Sequence, residues 1–180
     1  DLERVARTAL DRLGSIDKGK IANLESALNA MDATAGTVGI GHTRWATHGR
    51  PSDINAHPHQ SCAGEVVVIH NGIVENYAEL RGRLRAEGHE FLSETDTETI
   101  AHLMEGQVKA GRTLLDALRI TCSQLEGSQA ILAMSPSQPG VIVAARVGNA
   151  GGIVIGHGED EMVLASDLAA VLPRTRRVTF

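Results

Sequence analysis

Apolar residues repeat with a helical period in two early segments. Leu2, Val5, Ala9, Leu10 and Leu13 place a helix over residues 1–13, with Gly14 as its stop. Ile21, Leu24, Leu28 and Met31 place a second over about 20–31. The pattern then changes. Thr37-Val38-Gly39-Ile40-Gly41 reads as a strand over 37–42 that runs into the polar cluster His42-Thr43-Arg44-Trp45-Ala46-Thr47-His48-Gly49. Residues 49–64 have no period, carry two prolines and several turn formers, and read as a long ordered loop, a kind of segment that is usually functional. Val66-Val67-Val68-Ile69 is apolar at consecutive positions, the mark of a strand buried on both faces. It ends in His70-Asn71-Gly72, which is turn chemistry.

Three helices follow. Val74, Tyr77, Leu80 and Leu84 face inward over 74–87, with Gly88 as cap. Thr95-Asp96-Thr97-Glu98 reads as a capping box opening a helix with Ile100, Leu103, Met104 and Val108 inside and Gly111 at its end. Thr113 caps a third, with Leu115, Leu118, Cys122 and Leu125 inside and Gly127 beyond. Strand-like runs then occupy 129–134, 141–147, 153–157 and 161–165, Ser166-Asp167 caps a short helical turn, and 176–180 reads as a last strand. Strands, a block of helices and then consecutive strands predict an α+β layered domain with antiparallel pairing.

Composition narrows the picture. The chain has 180 residues, 42% hydrophobic and 22% charged, which fits one soluble domain with a proper core. A net charge of -5 without a basic block argues against nucleic-acid or anionic-membrane partners. No apolar run approaches ~18 residues and no secretory leader is visible, so neither a membrane span nor export is expected. Cys62 and Cys122 are the only cysteines, which fits a reduced, cytoplasmic protein, with a disulfide between them left open.

The His42–Gly49 cluster holds the chain's single Trp beside an Arg and two His, and a strand that ends so suits a ligand. Taken alone, each residue also has an ordinary reading. Arg44 fits a strand-end Arg, Trp45 a core aromatic, Thr47 and His48 loop hydrogen bonding, Asn71-Gly72 a common turn pair, and Asp96 a first-turn acid favoured by the helix dipole. His57 and His59, even with His42, His48 and His70, lack the tighter Cys/His patterning and carboxylate of a metal site, so no metal and no cofactor are assigned. Gly39 and Gly41 open no phosphate loop, and Cys122 reads as a core filler on an apolar stripe.

Four blocks together carry more than any one residue. His42–Gly49, Asn55-Ala56-His57-Pro58-His59, His70-Asn71-Gly72-Ile73-Val74-Glu75-Asn76 and Ser93-Glu94-Thr95-Asp96-Thr97-Glu98, in this order and at these spacings, resemble the glutaminase (class-II glutamine amidotransferase) domain of the glutamine–fructose-6-phosphate aminotransferase (isomerising) family. The resemblance covers about Lys20 to Phe180. It implies a domain of the N-terminal-nucleophile hydrolase type, a four-layer αββα sandwich with mostly antiparallel sheets.

The activity implied is hydrolysis of the glutamine side-chain amide, with the ammonia passed to fructose 6-phosphate to make glucosamine 6-phosphate. By resemblance, Arg44 holds the substrate carboxylate, Asp96 its ammonium group, Asn71 and the Gly72 N–H the oxyanion, and Thr47 and His48 line the pocket. Trp45 gates the ammonia path. The implied partners are L-glutamine, a sugar-isomerase domain in the parent protein and a second copy of that parent.

The family nucleophile is an N-terminal Cys that uses its own α-amine as base, within an opening Cys-Gly-Ile-Val-Gly strand. This sequence begins at Asp1, and neither that strand nor the family's Arg-Gly-Tyr-Asp segment has a counterpart in it. The expectation is therefore a single glutaminase domain over 1–180, truncated and incomplete at its N-terminus, with 1–18 unplaced and no activity as given. The alternatives are the glutaminase domain of another class-II amidotransferase, such as an amidophosphoribosyltransferase, and a non-catalytic glutamine-binding module.

Overall fold

A computed structural model describes residues 37–43, 50 and 52–180. The helices expected over 1–13 and 20–31, and the segment Arg44 to Gly49, lie outside the described residues.

A turn of 3-10 helix at Asp53–Asn55 and the short strand β1 (His59–Gln60) shape the long loop. β2 (Val67–Gly72) follows, then helices α1 (Tyr77–Ala86), α2 (Thr97–Lys109) and α3 (Leu114–Cys122). β3 (Gln129–Met134), β4 (Ile142–Val147), β5 (Val154–His157), β6 (Met162–Ala165), the short helix α4 (Leu168–Val171) and β7 (Val178–Thr179) complete the order. The strands form two antiparallel sheets, ordered β1-β2-β3-β4 and β6-β5-β7.

The alternation of side chains along β2 and β3 builds the layers. Val66, Val68, Ile131, Ala133 and Val143 join Leu80, Leu84, Ile100, Met104, Leu114, Ala117 and Leu118 in one core between the first sheet and α1–α3. The alternate positions Ile69, Asn71, Ala130 and Leu132 face a cavity that Leu164 and Ala165 of β6 close from the other side. Behind the second sheet lies α4. Its Val171 is fully buried, and a Cβ on Gly156 of β5 would meet Val171 Cγ1 at 2.4 Å. The order helices–sheet–sheet–helix is the expected αββα sandwich.

Four sequence expectations need correction. The strand expected over 37–42 forms no ladder with any described strand, and a strand exists only where a neighbour pairs with it. His70-Asn71-Gly72 is not a turn: β2 stays paired through Gly72, opposite Ile131, Ala130 and Gln129. On α3 the buried stripe is Leu114, Ala117, Leu118 and Thr121, while Leu115 is 53% exposed. Ala and Thr filled positions that a search for large apolar residues skips.

The fourth correction is the capping box. Asp96 is the N-cap of α2 but makes no side-chain cap hydrogen bond. Its Oδ2 accepts from the Val74 N–H at 2.8 Å instead, and Glu98 accepts from the Leu92 and Ser93 N–H groups at 2.7 and 2.8 Å. Tertiary partners outcompete the local cap. Thr113 does cap α3, with Oγ1 accepting from Asp116 N at 3.1 Å. Thr113→Ala should cost about 1 kcal/mol, read as a lower urea midpoint with an unchanged slope.

Both cysteines are free thiols, which closes the question of a disulfide between them. Cys122 packs against the core, and burial pushes its thiol up from the usual value, as suits an inert filler.

Candidate functional site

The cavity between the two sheets has a volume of about 680 Å³. Its polar wall comes from His42 and Thr43, His57 of the long loop, the strand end His70-Asn71-Gly72, Thr95-Asp96-Thr97 at the start of α2, and Ser166 after β6. The helix start meets the strand end because β2 and α2 pack across the core. Asp96, 3% exposed, ties them further by accepting the Val74 N–H just beyond β2.

Asn71 occupies the cavity face of β2. His42 Nε2 donates to its Oδ1 at 2.8 Å. An amide whose oxygen is held in this way keeps Nδ2 as its donor. Gly72 beside it has φ +130, and a Cβ there would lie 2.1 Å from Ser128 O and 2.9 Å from His70 Nε2, so only glycine fits.

His70 is buried, and its tautomer follows from its neighbours. Gln129 Nε2 donates to Ile73 O and Glu126 O, both at 2.9 Å, which leaves Gln129 Oε1 as an acceptor. His70 Nε2–H therefore donates to that oxygen at 2.5 Å, and Nδ1 accepts from the Thr97 hydroxyl at 3.0 Å. Burial lowers the His70 pKa, against a raising effect from Asp96 and Gln129, so the ring is neutral at pH 7. It acts as a rigid spacer between β2, β3 and α2.

A second relay stands behind Asp96. The Ser93 hydroxyl donates to Glu98 Oε2 at 2.6 Å, so the Thr95 hydroxyl must donate to Ser93 Oγ at 2.9 Å. His59 Nε2–H must then donate to Thr95 Oγ1 at 2.9 Å. The Arg81 guanidinium contacts Glu98 at 3.5 Å, donates to Ser93 O and lies 4.5 Å over the Phe91 ring. Asn55 locks the long loop to the same place, donating to Glu94 Oε2 at 3.0 Å and accepting from Glu94 N at 2.9 Å.

Of the sequence-predicted residues, Asn71, Gly72 and Asp96 line one cavity. Arg44, Trp45, Thr47 and His48 lie outside the described residues. Sequence reasoning gave no role to His42, Gln129 or the His59–Thr95–Ser93–Glu98 relay. Gln129 is 1% exposed at the start of an apolar strand, where a polar residue reads as the end of a turn, so nothing signalled it. His42 carried a signal through its place in the polar cluster. Neither Cys62 nor Cys122 lines the cavity. The wall thus offers an amide donor at a strand end, a glycine beside it and a buried carboxylate, an arrangement suited to a small polar molecule carrying an ammonium group.

Comparison with known proteins bears on the family and the fold. A family model described as a glutamine amidotransferase domain matches residues 29–178. The glutamine–fructose-6-phosphate aminotransferase (isomerizing) of Streptomyces coelicolor is 49% identical over 158 residues, covering 88% of this chain and 25% of the relative. That of Methanothermobacter thermautotrophicus is 48% identical over 164 residues, 91% of this chain and 27% of the relative. The chain thus spans about a quarter of the length of the curated relatives it matches. Among solved structures, the glutamine phosphoribosylpyrophosphate amidotransferase of B. subtilis, complexed with ADP and GMP, aligns with a TM-score of 0.59 at 30% identity, over 74% of this chain and 29% of its own. With residues 29–178 of the chain matched by the family model and the amidotransferase sandwich reproduced, the chain belongs to the glutamine amidotransferase domain family.

Proposed function

We propose that the cavity binds L-glutamine and that the domain hydrolyses its side-chain amide, releasing ammonia. The carrying observation is the Asn71 amide, its oxygen occupied by His42 and its nitrogen left as donor, on the wall that Asp96 also lines. Asp96 takes the substrate ammonium, and Arg44 takes the carboxylate through a planar two-pronged guanidinium. Thr47 and His48 complete the pocket, and Trp45 gates the exit of ammonia.

Attack on the amide carbon forms a bond to the nucleophile and moves the C=O electron pair to oxygen. The Asn71 Nδ2–H and Gly72 N–H stabilise that oxyanion. Collapse breaks the C–N bond, the nitrogen leaves as ammonia with a proton from the base, and water then releases glutamate. The resemblance implies an N-terminal cysteine as nucleophile and base; Cys62 and Cys122 do not line the cavity.

In the parent protein, the ammonia goes to fructose 6-phosphate on a sugar-isomerase domain, giving glucosamine 6-phosphate in the cytoplasm from a homodimer. The identity of 49% to an aminotransferase of that specificity, against 30% to the phosphoribosylpyrophosphate amidotransferase, favours this reading. Among the described residues, no helix is long and apolar enough to cross a membrane.

Binding tests the pocket directly. Asp96→Asn keeps an oxygen for the Val74 N–H and so spares the fold, but removes the charge. Calorimetry should show glutamine affinity falling tenfold or more, about 1.4 kcal/mol. Unchanged affinity removes Asp96 from the ammonium site.

A further inference from the structure

We propose that Cys62, His89, His102 and Glu105 form a binding site for a zinc-class divalent cation, separate from the glutamine cavity. None of the four lines that cavity. They come from three segments: Cys62 from the loop between β1 and β2, His89 from the connection after α1, and His102 and Glu105 from one face of α2 at i, i+3 spacing.

The geometry is that of a tetrahedral set. Cys62 Sγ lies 3.4 Å from His102 Nδ1 and 3.6 Å from His89 Nδ1, and His89 Nδ1 lies 3.5 Å from Glu105 Oε2. With metal–sulfur bonds of about 2.3 Å and metal–nitrogen or –oxygen bonds of about 2.0–2.1 Å, tetrahedral angles separate neighbouring ligand atoms by about 3.3–3.6 Å. The three distances fall within or beside that range. All four ligand atoms lie within 4.8 Å of one another, so the remaining edges close with side-chain shifts alone.

The surroundings support ligation. Glu105 is fully buried, its Oε1 accepts from Ala63 N at 2.8 Å, and its Oε2 is buried with no hydrogen bond. The Lys109 ammonium, 3.4 Å from that Oε2, sits on a side chain 49% exposed and can swing away. His102 is also fully buried, and the Glu98 carboxylate lies 3.6 Å from its Nε2. A carboxylate there favours the Nε2–H tautomer and leaves the Nδ1 lone pair aimed at Cys62, the arrangement that carboxylates impose on metal-bound histidines. Cys62 Sγ accepts from Glu90 N at 3.2 Å and donates to Glu90 O at 3.6 Å, which holds the sulfur at the mouth of the set. Binding exchanges the Cys62 thiol proton, released to solvent, for a metal–sulfur bond.

One sulfur, two imidazole nitrogens and one carboxylate oxygen suit zinc or its cobalt surrogate and not magnesium or calcium, which take oxygen ligands. Four protein ligands close the coordination sphere, so the site is structural and pins the loop before β2 and the α1–α2 connection to α2.

The test is titration of cobalt(II) and zinc(II) into metal-stripped protein containing the full chain, with thiols kept reduced. Cobalt should bind one to one, with a near-ultraviolet thiolate-to-cobalt charge-transfer band and the strong visible bands of tetrahedral coordination. Zinc should displace it and raise the thermal midpoint. Cys62→Ser should abolish the charge-transfer band, and both it and the partly exposed His89→Ala should weaken binding by more than ~100-fold with an unchanged far-ultraviolet dichroism spectrum. Cys122→Ser should leave the band in place. No band at one equivalent of cobalt overturns the proposal, as does binding that survives Cys62→Ser and His89→Ala or is lost instead in His57→Ala.

Discussion

Asn71→Ala, made in protein that carries the family's N-terminal cysteine ahead of this chain, should lower glutaminase turnover by about 10²–10³-fold, the loss typical of one oxyanion donor. The reason is differential. The carbonyl oxygen of bound glutamine carries partial charge, whereas the tetrahedral intermediate carries a full one. A donor fixed in advance therefore lowers the barrier far more than it tightens substrate binding. Fixing is what the structure supplies: His42 holds the amide oxygen at 2.8 Å, and β2 stays paired with β3 through Asn71 and Gly72. Asn71→Asp should be at least as severe, because it sets an acceptor-only carboxylate against the oxyanion. The Michaelis constant for glutamine should move by only a few fold. A change confined to that constant, with turnover intact, would remove Asn71 from the oxyanion role.

Glu98 carries the second large effect, on stability. It is 3% exposed, so burial by itself would raise its pKa. The contact to His102 and the hydrogen bonds from the Ser93 hydroxyl, Leu92 N–H and Ser93 N–H outweigh burial and hold it at about 2, below the ordinary 4.5. A folded-state pKa depressed in this way adds stability that is fully present above pH 4.5 and disappears as the pH falls from there toward 2. The contribution is about 3 kcal/mol. Glu98→Gln should therefore destabilise the protein at pH 7 by roughly that amount, because it turns an amide N–H₂ toward groups that all donate. Urea unfolding from pH 7 to 3 should show the wild-type midpoint falling steeply on the acid side and the variant's falling less. Parallel curves would mean that Glu98 is not the controlling carboxylate.

Much of the fold was legible because its signals are local. The β-branched run before His70, the apolar stripe of α2 and the glycines ending α1 and α2 act over a few residues, and the structure has those elements close to where the pattern places them. Failures came where a distant partner overrode a local preference. Thr95 and Glu98 match a capping box, yet the Thr95 hydroxyl bonds His59 and Ser93, and Glu98 takes donors from Leu92 and Ser93. Leu115 looks like core, but Leu114 and Ala117 are fully buried and take that place.

The sequence by itself was enough to point to the family, since four blocks in fixed order carry the resemblance without any distance between them. The same text named Asn71, Gly72 and Asp96. Only the tertiary structure decided that these three share one cavity, which way the Asn71 amide faces, and which tautomer His70 adopts. The amide orientation and the tautomer depend on the pairs His42–Asn71 and His70–Gln129, separated by 29 and 59 residues in the chain. A hydrogen bond or a ligand set acts over about 3 Å, and a pattern read along the chain carries no information about which distant residues will meet at that range.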